Sequence, residues 1–261
     1  MKKTFLFLAA GLLFSISAFA DGSCFLVKES NKVLVNEGEC KSRHAPNSSF
    51  KIALSLMAYN EGIFIDETHP ELPFKKGYED WLEKWKQPHN PSLFMKNSCV
   101  WVSQYIVKKL GMPKFQEYVT KFDYGNQDLA GYKDKDNGSK PWISSSLHIS
   151  PEEQIVFLQK LVDNKLPVSL KAQQMTKNIT FIEELPGGWK LYGKTGTGDQ
   201  WNKERTRQTD LQFGWFVGWV QKGDRAIVFA NYVEDKDKQD TYASFRARDA
   251  AIARLKEIVS Q

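Results

Sequence analysis

The sequence predicts an α/β fold of the α+β type: a central antiparallel sheet flanked by helices, with a helical lobe inserted between its β segments. Two apolar stretches near the start, 24–27 and 33–35, flank the turn-prone Ser30-Asn31 and read as a β-hairpin. The last ninety residues return to strand patterns, and the stretch from about 51 to 165 carries apolar residues at helical spacing. Terminal β segments that bracket a helical middle argue for an antiparallel sheet packed with helices plus a helical lobe.

Taken in order, residues 50–59 carry the first helical periodicity, and Gly62 follows as a stop. Residues 63–92 are rich in Pro, Gly and aromatics, which predicts loops with one short helix around Trp81. A helix is expected over 100–110, ending at Gly111, and Pro113 could open another. Residues 132–141 read as a surface loop. Ser150-Pro151-Glu152-Glu153 is a capping box with Pro at the first helical position, starting a helix to about Asp163. Strands follow at 189–192, 213–220 and 226–233, the last two joined by a turn over 222–225. An amphipathic helix over 243–259 closes the chain.

The chain has 261 residues and a formal net charge of +5. Lys2 and Lys3 precede an apolar run over 5–19, and Ala18-Phe19-Ala20 fits the small-x-small cleavage rule. The run is short for a spanning helix. A lipoprotein start at Cys24 is disfavoured because Asp21-Gly22-Ser23 precedes it. Residues 1–20 are therefore expected to be a cleaved signal peptide, with 21–261 a single periplasmic or secreted domain and no membrane contact after cleavage. The positive excess does not point to nucleic acid, because Lys133, Lys135, Lys222, Lys236 and Lys238 alternate with acids as on a solvated face. Cys24 and Cys40 fall at the outer ends of the hairpin, where a disulfide is possible in an oxidising compartment, although the register is not legible. Cys99 lies in an apolar run and reads as a buried free thiol. His44, His69, His89 and His148 are scattered, so no zinc spacing is present.

Two short motifs carry chemistry. In Ser48-Ser49-Phe50-Lys51, the serine and lysine lie one helical turn apart. A serine hydroxyl needs a base, and a lysine can serve only when burial or modification suppresses its charge. Alone, the pair could equally be an N-cap serine and a solvated lysine. The second motif is Lys194-Thr195-Gly196 at the end of a strand. Residues 188–195 match the phosphate-loop pattern letter for letter, but their centre, Trp189-Lys190-Leu191-Tyr192, is strand material and Gly196-Thr197-Gly198-Asp199 opens no helix. Lys194-Thr195-Gly196 on an edge strand would instead offer a cation, a hydroxyl and a close backbone approach to an anionic substrate. S-x-x-K and K-T-G occur together in penicillin-recognising serine acylases.

Over essentially the whole chain after the leader, the sequence resembles the class D β-lactamases. Their S-T-F-K corresponds to Ser48-Ser49-Phe50-Lys51, their S-x-V to Ser98-Cys99-Val100, their Y-G-N to Tyr124-Gly125-Asn126 and their K-T-G to Lys194-Thr195-Gly196. Trp142 matches a tryptophan after Y-G-N, and Phe213-Gly214-Trp215 the strand after K-T-G. The resemblance implies hydrolysis of β-lactam antibiotics, and hence resistance. Ser48 would be the acylated nucleophile, and Lys51, carboxylated by carbon dioxide or bicarbonate, its general base. Ser98 would relay a proton to the leaving nitrogen with help from Lys194. Val100 would wall the pocket, Trp142 would hydrogen-bond the carbamate, and the amides of Ser48 and Thr197 would form the oxyanion hole. No metal or other cofactor is implied. Tyr124-Gly125-Asn126 by itself is an ordinary turn, and Trp142 by itself a core aromatic; Tyr124 and Asn126 read as structural. Near the start of the last helix, Ser244, Arg246 or Arg248 could bind the substrate carboxylate, and Ala251 and Leu255 suggest that Arg248 turns toward the core. A penicillin-binding transpeptidase is disfavoured by Val100 where such enzymes carry Asn, and a β-lactam sensor by the lack of a retained membrane segment. A monomer or weak homodimer is expected.

Overall fold

The computed structural model describes residues 22–131, 140–202 and 208–260. The expected signal peptide, and the 132–139 part of the expected surface loop with Lys133 and Lys135, lie outside these residues.

Six antiparallel strands form one sheet in the order β2-β1-β6-β5-β4-β3. They are β1 (Cys24–Glu29), β2 (Lys32–Gly38), β3 (Phe181–Leu185), β4 (Trp189–Trp201), β5 (Gln208–Lys222) and β6 (Arg225–Glu234). Between β2 and β3 in the chain lie α1 (Lys51–Asn60), α2 (Pro91–Asn97), α3 (Val100–Leu110), α4 (Met112–Lys121), α5 (Pro151–Val162) and α6 (Leu170–Ile179), and α7 (Ala243–Val259) ends the chain. Antiparallel strands ending in a helix over a helical insertion are the architecture that the hairpin, helical and strand patterns predict. No helix of the described residues is long and apolar enough to cross a membrane.

Period 2 sorts the sheet into two cores. Trp215, Val217 and Trp219 of β5 join the large cluster with Ile52, Leu56 and Leu158 of the helical lobe. Phe216 and Val220 turn to the other face, against Ala247, Ala251 and Leu255 of α7. Burial of both faces explains the unbroken apolar run over 213–220. Small residues let α7 come close: a Cβ on Gly214 would lie 2.2 Å from the carbonyl carbon of Ala243.

Several local expectations hold. The capping box forms in both directions, Glu153 N–H donating to Ser150 Oγ (3.2 Å) and Ser150 N–H to Glu153 Oε2 (2.9 Å). Lys222 pairs with Arg225 across a tight turn in which Gly223 has φ 57°. Cys24 and Cys40 are joined in a disulfide with their Cα atoms 5.1 Å apart, and Cys99 is a buried thiol. Closing a loop of this size stabilises a fold by about 3 kcal/mol in the chain-entropy account.

Other elements depart from the sequence reading. The strand expected at 189–192 runs on to Trp201, because β5 pairs with it through Asp199 and again at Trp201. Its glycines lower local strand propensity, and long-range pairing overrides that. The expected helix around Trp81 is a single 3-10 turn, Glu83–Trp85. Helix α2 occupies the end of the expected loop region, and its signal was present: Asn90 caps it, accepting from Leu93 N–H at 2.9 Å, with Pro91 at its first position. The largely exposed edge strand β3 and helix α6 were also not anticipated.

Candidate active site

The site is built where the turn before α1 meets the edge of β4. Asn47–Phe50 is a 3-10 turn leading straight into α1, whose first residue is Lys51. Ser48 is therefore not the helix N-cap, and that position belongs to Phe50 without any side-chain capping bond. Ser49 N–H and Ser49 Oγ both donate to Pro46 carbonyl (3.1 and 2.7 Å), which tightens the turn. Asn47, Ser49 and Phe50 are buried, whereas Ser48 is only partly covered.

One turn on, Lys51 Nζ stands 3.1 Å from Ser48 Oγ. Lys51 is 0% exposed, and its amine is 5.7 Å from the Phe94 ring centre. Burial pushes its pKa down to about 7, opposed only weakly by Cys99. The Cys99 thiol is itself pushed up to about 11 by burial and stays neutral. Val100 is 3% exposed, at the start of α3. A lysine in this setting has a substantial free-amine fraction near neutrality, which a solvated lysine lacks.

Lys194, Gly196 and Gly198 share one face of β4, and Thr195 and Thr197 the other. A Cβ on Gly196 would lie 2.8 Å from Pro46 carbonyl oxygen, 2.9 Å from Ser49 N and 3.1 Å from Ser48 N, so glycine is required for the strand to lie against the turn that carries Ser48. Strand β3 pairs with β4 only over Trp189–Tyr192, leaving the edge around Lys194–Thr197 without a strand partner. The edge-strand expectation for Lys194-Thr195-Gly196 thus matches the topology. Residues 189–195 are continuous strand and no helix follows, so the phosphate-loop match is only one of letters. Lys194 Nζ donates to Thr195 carbonyl at 3.0 Å. Its pKa is pushed well down, by burial first and then by Lys51 and Lys84.

Ser98 ends α2 in the left-handed region, with φ 57° and ψ 38°. A non-glycine residue held there is strained, and such strain concentrates at functional sites. Trp142 is fully buried, stacked on Phe50 (ring centres 5.7 Å apart) and edge-on to Phe115. Its Nε1 has no hydrogen-bond partner among the described residues. A buried indole N–H left unmatched costs about 1–3 kcal/mol, so it marks a place where an acceptor is missing.

Tyr124-Gly125-Asn126 is a clasp. Asn126 N–H donates to His148 carbonyl, His148 N–H to Asn126 Oδ1 and Asn126 Nδ2 to Ser146 carbonyl. Gly125, at φ 58°, would place a Cβ 2.0 Å from His148 carbonyl oxygen. Gln154 Nε2 donates to Ser49 Oγ (3.1 Å) and Tyr124 Oη (3.3 Å), tying this clasp to the turn that carries Ser48. The structural reading of Tyr124 and Asn126 agrees with these contacts. Gln154, Asn47 and Lys84 were not singled out from the sequence, and no local pattern distinguishes them.

At the start of α7 the three alternatives separate. Thr197 Oγ1 donates to Ser244 Oγ at 2.6 Å, which puts Ser244 on the free part of β4. Arg246 is held by Asp235 and the Thr241 carbonyl. The orientation expected of Arg248 is corrected: the buried stripe is Ala247, Ala251 and Leu255, and Arg248, one position off it, pairs with Asp249 and lies over Phe245. Among the described residues no group of three His, Cys, Asp or Glu is placed to hold a metal ion. A partly open hydroxyl, a buried amine and an unpaired strand edge beside them suit acyl transfer.

The family profile of the penicillin binding protein transpeptidase domain matches residues 17–257. Beta-lactamase OXA-1 of Escherichia coli is 38% identical over 241 residues, 89% of this chain and 83% of that protein. Beta-lactamase OXA-9 of Klebsiella pneumoniae is 38% identical over 240 residues, 89% and 86% of the two chains. The crystal structure of OXA-427 class D beta-lactamase superposes with a TM-score of 0.86 at 44% identity, over 91% of this chain and 98% of that one.

Proposed function

This chain belongs to the class D β-lactamases, which hydrolyse the β-lactam amide through a serine acyl-enzyme, and from that premise we propose that Ser48 is the nucleophile and Lys51 its base. The observation that carries the assignment is the 3.1 Å approach of Nζ of the fully buried Lys51 to the partly open Ser48 Oγ. Ser48 Oγ loses its proton toward Lys51 and attacks the lactam carbonyl. The amides of Ser48 and Thr197 receive the developing oxyanion, a contribution that in acyl transfer is worth about 2.7–4 kcal/mol per donor. Ser98 relays the proton taken from Ser48 on to the ring nitrogen as the C–N bond breaks, assisted by Lys194, and the base on Lys51 is left free for the second step. Water, deprotonated on the Lys51 side, then releases the acyl group from Ser48.

Two features suit carboxylation of Lys51 by carbon dioxide: the free-amine fraction that burial maintains, and the unmatched Trp142 indole N–H. The carbamate supplies a base able to take a proton in both half-reactions, and Val100 shields it from solvent. We place the enzyme outside the cytoplasm after removal of residues 1–20, as a single domain over 21–261 acting on small-molecule β-lactams as a monomer or weak homodimer. Turnover of a chromogenic cephalosporin, with mass spectrometry of the protein, tests the core of the reading. Parent enzyme should show multiple turnovers, and Ser48→Ala should show none and acquire no acyl mass. A parent that acylates once and stays acylated would instead be a sensor or a transpeptidase.

The substrate carboxylate is assigned to Thr195 and Ser244, supported by the Ser244–Thr197 hydrogen bond and the diversion of both arginines. Hydrogen bonds to a charged group are worth about 1.5–3 kcal/mol. Ser244→Ala should therefore raise KM for a penicillin by about tenfold, with Arg246→Ala and Arg248→Ala near the parent value. If none of the three raises KM threefold, the start of α7 does not hold the carboxylate.

A further inference from the structure

Asn47 sits where three parts of the site meet. It is 2% exposed, with φ 47°, a left-handed conformation that asparagine tolerates better than most residues. Its own N–H donates to Trp142 carbonyl at 2.9 Å. Its Oδ1 accepts from Ser144 N–H at 3.1 Å and from the Ser144 hydroxyl at 3.5 Å. Its Nδ2 reaches Ala45 carbonyl at 3.4 Å. The side chain thereby closes a ring around residues 142–144 from the turn that carries Ser48. Strand β4 completes the junction, because a Cβ on Gly198 would lie 2.5 Å from Asn47 Nδ2 and 2.7 Å from Ser144 Oγ. Trp201 Nε1 donates to Ser144 carbonyl at 3.2 Å and braces the same segment from the end of the strand.

We propose that Asn47 is a positioning residue for the base: its carboxamide fixes the backbone of 142–144 against the nucleophile turn, and so aims the unpartnered Trp142 indole N–H at the group carried by Lys51. The inference rests on the carbamate reading above. The physical case is one of tolerance. A hydrogen bond aimed at a base must be held to a fraction of an ångström, and a displacement of about 1 Å far from the chemistry can cost about a hundredfold. Trp142 stacks on Phe50 and meets Phe115 edge-on, but aromatic pairs accept ring separations over a range of about 4.5–7 Å, so these contacts alone leave the indole some freedom of position. The bonds from Ser144 N–H and Asn47 N–H bracket Trp142 on its own backbone and remove that freedom.

The test removes the carboxamide while leaving the left-handed backbone at ease, which Asn47→Gly does. In buffer depleted of carbon dioxide, the bicarbonate concentration giving half-maximal hydrolysis should rise by about tenfold in Asn47→Gly, on the scale of one lost buried hydrogen bond. Saturating bicarbonate should recover most of kcat. Asn47→Asp keeps the Oδ1 acceptor and the tolerance for positive φ, and should stay within about threefold of the parent. Gly198→Ala, which presses on Asn47 from the strand, should raise the bicarbonate requirement as well. A folded Asn47→Gly with the parent's bicarbonate response would overturn the proposal. So would equal damage in the Gly and Asp variants that bicarbonate does not relieve, because that pattern belongs to a purely structural residue. Should Asn47→Gly fail to fold, Asn47→Asp and Gly198→Ala decide the matter alone. A parent indifferent to bicarbonate overturns the carbamate reading and this one with it.

Discussion

Lys51→Ala should lose acylation and deacylation together, each by about 10²–10⁴, the range expected for loss of a positioned general base. The amine lies one helical turn from Ser48 and in contact with its hydroxyl, so it is placed to act in both half-reactions. No carboxylate among the described residues is paired with Lys51 or Lys194, and the Cys99 thiol near Lys51 is held neutral. Stopped-flow acylation and mass spectrometry of the acyl-enzyme measure the two steps separately, with thermal denaturation to distinguish loss of the base from loss of the fold. Trp142→Ala should behave differently, mostly slowing deacylation, because it would remove only the hydrogen bond proposed to hold the carbamate. Acylation of Lys51→Ala at the parental rate would mean that the proton goes elsewhere.

The second large effect is on pH and dissolved carbon dioxide. Only the free amine of Lys51 can react with carbon dioxide, so activity should fall as pH drops through the lowered pKa and hold as pH rises above it. With that pKa at about 7, about half the amine is free at pH 7, but only about one part in a hundred at pH 5, by the titration law. Degassed enzyme at pH 5 to 6 should therefore be slow, and added bicarbonate should restore much of the rate by mass action. At pH above 8 both treatments should matter little. The unperturbed lysine pKa near 10.4 would move the whole transition to alkaline pH, so a midpoint near neutrality at fixed bicarbonate is the result expected of a buried Lys51. Rates indifferent to degassing and to bicarbonate would remove the carbamate from the mechanism.

What the sequence determined by itself is what local physics encodes. The capping box at Ser150, the turn at Gly223 and the helical spacing of 100–110 each rest on residues a few positions apart, and the structure carries all three. The pairing of Ser48 with Lys51 was legible for the same reason, the two being one helical turn apart. Helix α2 was legible too, through Asn90 and Pro91, but the aromatics and prolines around it drew the reading toward loop. The tertiary structure alone decided where non-local partners meet. Strand β4 outruns its local propensity because β5 pairs along it, while β3 stops short and leaves Lys194–Thr197 as a free edge. Periodicity could not tell Arg248 from Ala247, since a rotation of one residue moves a side chain by about 100° around a helix; the close approach of α7 at Gly214 selected Ala247 for the core and Ser244 for the site. Asn47 carries no sequence signal at all, because its partners, Ser144 and Gly198, lie about a hundred residues or more away. Nor does any motif state that Lys51 is fully buried. That depends on neighbours such as Phe94 and Cys99, and it is the burial, through the cost of a charge out of water, that fits this lysine for the proposed role of base.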